Sequence, residues 1–167
     1  MKKNVIKNLF LVWLVSIVGC LCYVWNIARE QEKKIWEDYD KMQIAKAKMA
    51  KSQSRKEAAK ILSEVLLKYP ESFWLHFLYG TLIMVDGDLP KAEYHLRKAR
   101  EINIFIVFNP SYLAKASECY MKLHKWHEAE QYAVRIKKIT KKLEHLETSE
   151  NLLKAIFSRR KKNLDRG

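Results

Sequence analysis

The sequence predicts an all-α protein, with an N-terminal transmembrane helix, an array of helical hairpins and a C-terminal capping helix. Three observations predict this fold class. The 167 residues include only 4 glycines and 3 prolines, too few for the many turns of an all-β protein. Hydrophobic residues make up 49 % of the chain, which excludes a disordered protein. Successive segments also carry apolar residues at three- and four-residue spacing, which is typical of helices that bury one face.

An uncharged segment near the N-terminus predicts a membrane anchor. Residues 1–8 form a basic flank, and residues 9–28 read LFLVWLVSIVGCLCYVWNIA without a single charge. A helix of that length covers about 30 Å, roughly the thickness of the hydrocarbon core of a bilayer. Lysines in the flank favour a cytoplasmic N-terminus. We therefore expect a single-pass protein of a bacterial inner membrane, with most of the chain outside the cytoplasm.

The same segment has a second interpretation as a lipoprotein signal. Ile17-Val18-Gly19-Cys20 resembles the lipobox of bacterial lipoproteins, in which Cys20 would be lipidated after cleavage of the residues before it. The apolar run continues for eight residues beyond Cys20, which favours an uncleaved anchor. Both interpretations tether the rest of the chain to a membrane. A buried core helix is the third alternative.

Three alanines mark a repeat in the part of the chain that follows. Ala58 and Ala92 are 34 residues apart, and Ala92 and Ala129 are 37 apart. Each lies in a segment with helical spacing. A further helix is predicted before the second and the third of them, over residues 72–85 and 110–123. A period of this length containing two helices is typical of stacked hairpin repeats.

Over residues 39–139 the sequence resembles the tetratricopeptide family, and small side chains carry the resemblance. The residues at the family's small positions are Gly80, Ala92, Ala99, Ser117 and Ala129. Gly87-Asp88 stands at the family's turn and Pro70 at its closing proline, whereas His76 stands where a large apolar residue is usual. The resemblance implies about three hairpins within residues 29–139, the first of them degenerate. It also implies a concave groove that binds a peptide or a helix of another protein.

Residues 101–111, EINIFIVFNPS, are the most apolar stretch outside the anchor. One interpretation is a lengthened second helix that is buried between repeats, and the other is an exposed apolar loop that docks on a partner or on the bilayer. Three groups of side chains are candidates for partner binding: aromatic residues of the first helices, phenylalanines of this stretch and a basic cluster near the C-terminus. They are Trp74, Phe77, Tyr79, Phe105, Phe108, Tyr120, Arg159, Arg160, Lys161 and Lys162.

Residues 140–167 are predicted to form a capping helix and a basic tail. Thr148 or Ser149 is expected to cap this helix, whose apolar residues are Leu152, Leu153, Ile156 and Phe157. Three of the 32 basic residues precede residue 9, so residues 29–167 carry 29 basic against 19 acidic side chains. This excess has two interpretations: a solvated face, or attraction to anionic lipid headgroups or to an acidic protein. No nucleic-acid motif is recognisable, and no nucleic-acid partner is expected.

The sequence contains no arrangement that predicts catalysis. His124 and His127 are three residues apart but lack a third ligand, so we expect no metal site. Cys119 lies among apolar residues and is interpreted as a small core residue. We expect no cofactor and no enzymatic activity. The sequence predicts a membrane-tethered scaffold, assembly factor or accessory subunit, with a purely structural subunit of an oligomeric membrane enzyme as the alternative.

Overall fold

A computed structural model of the chain describes residues 2–49 and 51–164, and these residues are helical nearly throughout, with no strand among them. The side chains of residues 2–12, 14, 15, 52 and 164 lie outside the described part. Seven α-helices follow one another: α1 (Lys2–Met49), α2 (Arg55–Lys68), α3 (Phe73–Asp86), α4 (Leu89–Ile102), α5 (Pro110–Lys122), α6 (Trp126–Ile139) and α7 (Leu143–Leu164). The prediction of an all-α protein is confirmed. The chain divides into two units, residues 1–43 and 44–167.

Residues 2–43 lie in a single element, the helix α1, which continues unbroken to Met49. The apolar segment 9–28 is therefore helical, although the side chains of residues 9–12, 14 and 15 are outside the described part. Its described large apolar side chains are exposed: Trp13, Ile17, Val18, Leu21, Tyr23, Val24, Trp25 and Ile27. Among the residues that the structure describes, no helix combines the length and the apolar character that crossing a membrane requires.

The second unit is a succession of antiparallel helical hairpins. Packing is most extensive between α3 and α4 and between α5 and α6. The helices α3 and α5 begin and end within one residue of the predicted segments 72–85 and 110–123. Further packing joins α2 to α3, α4 to α5, and α7 to both α5 and α6. The predicted closing role of the C-terminal helix agrees with this arrangement, since Ile156 of α7 is fully buried against Ala129 and Ala133 of α6.

Local sequence signals set the ends of the hairpin helices. Gly87 ends α3 in the left-handed conformation, with φ of 95°, which glycine adopts without steric cost. The Asp88 carboxylate then accepts a hydrogen bond from the Lys91 amide and caps α4. Asn109 caps α5 in the same way, by accepting hydrogen bonds from the amides of Ser111 and Tyr112. The predicted turn at Gly87-Asp88 is confirmed.

Gly80 allows α3 and α4 to approach closely. A Cβ atom at this position would lie 3.1 Å from the Cβ atom of His95, 3.2 Å from the Ala92 carbonyl oxygen and 3.3 Å from Cγ of Leu96. Gly80 and Ala92 are both buried. Because these distances are shorter than ordinary carbon contacts, the missing side chain is a condition of the packing.

The second hairpin repeats this contact 37 residues later, with a hydroxyl in place of the hydrogen of glycine. The Ser117 hydroxyl of α5 donates a 2.8 Å hydrogen bond to the Ala129 carbonyl of α6. Ser117 and Ala129 are fully buried. Ser117 follows Gly80 by 37 residues, and Ala129 follows Ala92 by 37 residues. The two hairpins therefore pack in the same register.

The stacking of each hairpin on the next helix also repeats in register. The Tyr112 hydroxyl of α5 donates to the Leu96 carbonyl of α4 at 3.1 Å, and the Ser149 hydroxyl of α7 donates to the Ala133 carbonyl of α6 at 2.7 Å. Donors and acceptors are again 37 residues apart. The predicted cap at Thr148 or Ser149 is wrong, because α7 begins at Leu143 and the Ser149 hydroxyl is committed to α6.

The stretch between the two clear hairpins is neither a lengthened helix nor wholly exposed. The helix α4 ends at Ile102, and residues Ile104–Phe108 form a single 3₁₀ turn, which we call the 104–108 turn. The prediction of a lengthened helix is wrong because Asn103 leaves the helical conformation and its side chain caps the turn through the Phe105 amide. The turn buries Ile106 and Val107, and it exposes Ile104, Phe105 and Phe108.

Replacement of Gly80 by valine is expected to destabilise the second unit. The added side chain would have to displace His95, Ala92 or Leu96, and overpacking of this kind costs about 1–3 kcal/mol. We expect Gly80→Val to lower the free energy of unfolding by about 2 kcal/mol, measured by urea denaturation of the full chain in mild detergent.

The neighbouring substitution Thr81→Val is the matched control. The Thr81 hydroxyl bonds only within α3, to the Phe77 carbonyl, and valine has the same shape as threonine. We expect this variant to change the free energy of unfolding by less than about 1 kcal/mol, the typical worth of one hydrogen bond. Equal stability of the Gly80 variant and the wild type would show that the two helices do not need their close approach.

Candidate interaction surface

The aromatic candidates of the first helices do not form one surface. Phe77 and Tyr79 are buried, and Trp74 is half-buried with its ring centroid 5.3 Å from that of Phe77. Phe77 lies next to Tyr112 of α5, whereas Tyr79 lies edge-on to His95 of α4. Phe77 therefore packs α3 against α5, and Tyr79 packs α3 against α4.

Tyr120 belongs to a cluster of tyrosines between the second hairpin and α4. Its ring stacks on Tyr132 of α6 with centroids 5.4 Å apart, and the Tyr132 ring is edge-on to Tyr112. The Tyr132 hydroxyl accepts a 2.9 Å hydrogen bond from the Arg100 guanidinium of α4. The predicted basic cluster is on the last turns of α7, and its four members are exposed: Arg159, Arg160, Lys161 and Lys162.

A groove lies between α4, the 104–108 turn and α6, and the same turn carries the two exposed phenylalanine candidates. Its volume is about 540 Å³, and its lining residues are Arg100, Glu101, Ile104, Val107, Gln131, Tyr132 and Arg135. Phe108 borders it, since the Arg135 guanidinium lies 5.5 Å from the centre of the Phe108 ring. The groove thus combines an apolar and aromatic surface with two arginines.

The arginines of the groove have no acidic partner in the described part of the chain. Arg100 bonds to a tyrosine hydroxyl and Arg135 lies over a phenylalanine ring, while Glu101 is paired with Arg97 at 3.1 Å and with Lys98 at 3.3 Å. Burial, with smaller contributions from Tyr132 and Glu93, raises the pKa of Tyr120 to about 12. This tyrosine is therefore neutral at physiological pH and does not compensate the arginines.

Sequence reasoning missed Arg100, Tyr132 and Arg135. Arg100 and Tyr132 are 32 residues apart, and helical spacing gives no sign that one would bond to the other. The charge of Arg135 was visible in the sequence. However, Arg135 begins a series of basic residues that continues to the C-terminus, so nothing distinguished it from them. The structure instead places it beside Phe108, on a different part of the fold.

A second unpredicted feature is a buried pair of histidines between α3 and α4. The Nδ1 atoms of His76 and His95 are 2.8 Å apart, and Nε2 of His76 is 2.9 Å from the Pro70 carbonyl. Because a carbonyl can only accept, Nε2 of neutral His76 carries the hydrogen. Its Nδ1 atom then accepts, and His95 donates from Nδ1. Both rings cannot be fully protonated, since two N–H groups would then face each other.

The surroundings of the pair disfavour a charge on His95. Burial, with smaller contributions from His76 and Lys91, lowers the pKa of His95 to about 4, whereas Asp88 acts in the opposite direction. The ring is also in edge contact with Tyr79 and Tyr94. We interpret the pair as a polar contact within the first clear hairpin, which takes the place of the apolar side chain expected at His76.

The other groups with chemical potential are engaged separately. His124 contacts Asn163 at 3.2 Å and His127 contacts Gln131 at 2.9 Å, so the two rings face different partners. Burial and nearby Glu93 raise the pKa of the Cys119 thiol to about 11, which keeps it protonated and unreactive at neutral pH. Within the described residues, no three side chains of the metal-binding types come together.

Comparison with known proteins gives no relative. No protein-family model matches the chain, and no characterised protein shows significant similarity to it.

Acid is expected to destabilise the chain through His95. The unfolded state takes up this proton near pH 6.5 and the folded state only near pH 4, so the unfolded state binds more protons between these values. Stability from this group is complete above about pH 6.5 and is lost as the pH falls towards 4. We expect a loss of up to about 3.5 kcal/mol, at about 1.4 kcal/mol per pKa unit.

Urea denaturation at several pH values measures this effect. The His95→Gln variant can still donate a hydrogen bond to His76 but cannot titrate, and we expect its stability to depend less on pH in this range. His127→Gln removes an exposed histidine and is expected to leave the wild-type slope unchanged. Identical slopes for His95→Gln and the wild type would contradict the assignment.

Proposed function

We propose that this chain is a membrane-tethered interaction module. It acts as a scaffold, assembly factor or accessory subunit of a larger membrane complex, and has no enzymatic activity of its own. The observation that carries the proposal is the stack of hairpins in a repeated register. At the junction between its two clear copies, the stack leaves a groove and three exposed apolar side chains, which are Ile104, Phe105 and Phe108.

The hairpins are proposed to be tetratricopeptide-like. The close approach at Gly80, the turn at Gly87-Asp88 and the 34 residues between Ala58 and Ala92 support this assignment. Such arrays bury their apolar faces only by stacking, and they present long surfaces to other proteins. An interaction role fits the exposed apolar residues of the 104–108 turn, because a monomer gains nothing from leaving phenylalanine side chains in water.

The membrane tether is proposed from α1. Leu21, Val24 and Trp25 are 64 %, 61 % and 70 % exposed. Other exposed apolar residues lie on the remaining faces of the helix. A helix that is apolar all round is typical of a membrane environment. The lysines of residues 1–8 favour a cytoplasmic N-terminus and place the hairpins on the other side of the membrane. The apolar run continues for eight residues beyond Cys20, which supports an uncleaved anchor over a lipoprotein.

Arginine in the apolar segment is expected to release the chain from membranes. An arginine at the centre of a spanning helix costs about 3 kcal/mol, so the double variant Leu21→Arg, Val24→Arg disfavours insertion strongly. We expect the wild type to stay in the membrane pellet in high salt and in alkaline carbonate, and the variant to leave it. Immunoblots of the fractions measure both.

Ile35→Arg is the matched control, because Ile35 is an exposed apolar residue of α1 beyond the uncharged segment. This variant is expected to remain in the pellet. Release of the wild type by salt alone would contradict the tether. The intact mass of the extracted protein distinguishes the two anchors: 19.9 kDa for the whole chain, against a shorter chain that begins at a diacylated Cys20.

Co-purification from native membranes tests the interaction role. We expect a partner protein to be retained by the wild type in mild detergent, and to be lost when Phe105→Asp is combined with charge reversal of the basic cluster of α7. Leu67→Asp is the control, because Leu67 is 85 % exposed on α2, a helix that packs on α3. Retention of the partner by the combined variant would remove both surfaces from the proposal.

The same purification separates the alternative of a purely structural subunit. The exposed Phe105 and Phe108 would then be covered permanently by neighbouring subunits. A complex of fixed stoichiometry would support that alternative, whereas a substoichiometric partner supports the scaffold or assembly factor.

A further inference from the structure

The groove beside the 104–108 turn has a charge pattern that indicates what it binds. Two arginines, Arg100 and Arg135, line it together with the apolar Ile104 and Val107. We propose that this groove binds a short acidic segment of a partner protein, with an apolar side chain seated against Ile104 and Val107 and a neighbouring carboxylate bound by the arginines. The inference rests on the proposed interaction role and names the chemistry of the partner.

The arginines are prepared for an anion that the chain does not itself provide. Among the described residues, neither Arg100 nor Arg135 pairs with a carboxylate, since Glu101 is held by Arg97 and Lys98. Tyr132 accepts a hydrogen bond from one Nη atom of Arg100 and thereby fixes its orientation. Guanidinium groups bind carboxylates through paired N–H donors, and a partly desolvated site strengthens such bonds.

The apolar part of the groove explains why a simple anion is not its full ligand. Ile104 is 68 % exposed, and Tyr132 of α6 also lines the groove. A ligand that covers Ile104 gains from removing this surface from water. The combination therefore fits a peptide with a large apolar residue next to aspartate or glutamate.

Shape favours a protein segment over a bilayer. Arg100 and Arg135 line a groove with a volume of about 540 Å³, and both residues are exposed to solvent. A side chain of a peptide can enter such a groove, whereas headgroups in a membrane plane meet mainly its rim. The exposed Phe108 ring borders the groove next to Arg135 and can cover part of the bound segment.

The test uses the full chain in mild detergent and a fluorescent octapeptide with a central leucine between aspartates. Two further peptides replace the aspartates by asparagines, or the leucine by glycine. Fluorescence anisotropy is expected to show saturable binding of the first peptide, and binding at least about tenfold weaker for the other two. Binding should weaken as the salt concentration rises. Equal binding of the asparagine peptide would overturn the proposal.

Variants of the groove separate this site from charge in general. We expect Arg135→Gln to weaken binding of the aspartate peptide about tenfold and the double variant Arg100→Gln, Arg135→Gln to abolish it. Arg97→Gln removes an exposed arginine of α4 that is paired with Glu101, and should change affinity by less than about twofold. Equal losses for Arg97→Gln and Arg135→Gln would overturn the proposal. Circular dichroism of each variant verifies that it is folded.

Competition and co-purification give the remaining outcomes. Displacement of the peptide by phosphatidylglycerol vesicles, but not by phosphatidylcholine vesicles, would make the surface a lipid contact and would overturn the proposal. If a membrane partner co-purifies equally with the wild type and with the double arginine variant, the groove assignment is wrong while the interaction role stands. If no partner co-purifies with the wild type at all, the interaction role itself fails.

Discussion

The fold of residues 44–167 depends on how closely the two helices of a hairpin can approach. At Gly80 and Ala92 a Cβ atom on α3 would lie only 3.1–3.3 Å from atoms of α4, and at Ser117 and Ala129 the approach is bridged by a hydroxyl group. A glycine in the middle of a helix costs roughly 1 kcal/mol of helix propensity relative to alanine. That cost is offset because the contact brings the apolar faces of both helices together along their whole length. The stacking of successive hairpins follows from this pairing.

The sequence predicts those parts of the fold that depend on spacing and on local chemistry. Hairpin helices follow from apolar periodicity, and their ends follow from Gly87, Asp88 and Asn109, whose conformations or hydrogen bonds involve only neighbouring residues. The in-phase small residues predict which faces meet. Ser149 shows the limit of this reasoning. It was expected to bond locally as a cap, but its hydroxyl bonds to the carbonyl of Ala133 on another helix.

Features that join distant residues could not be predicted in the same way. Trp74, Phe77, Tyr79 and Tyr120 share a residue class and lie on first helices, but only the packing decides which of them is buried. The buried His76–His95 pair has no sequence signal beyond an unexpected polar residue at position 76. The 104–108 turn is a case between these extremes. Its composition indicated either burial or exposure, and Asn103 produces both by ending α4 and turning the chain.

The 104–108 turn carries three exposed apolar side chains that lie outside the helical framework of this protein. The turn lies between α4 and α5, outside the hydrogen bonds that fix helix to helix, and it accounts for the three residues by which this unit exceeds a 34-residue period. Substitutions at the exposed Ile104, Phe105 and Phe108 can therefore change this surface without disturbing the register of either hairpin, whereas Ile106 and Val107 are buried and constrained. Selection for a new partner would act on a few loop positions, while the helical framework is inherited unchanged.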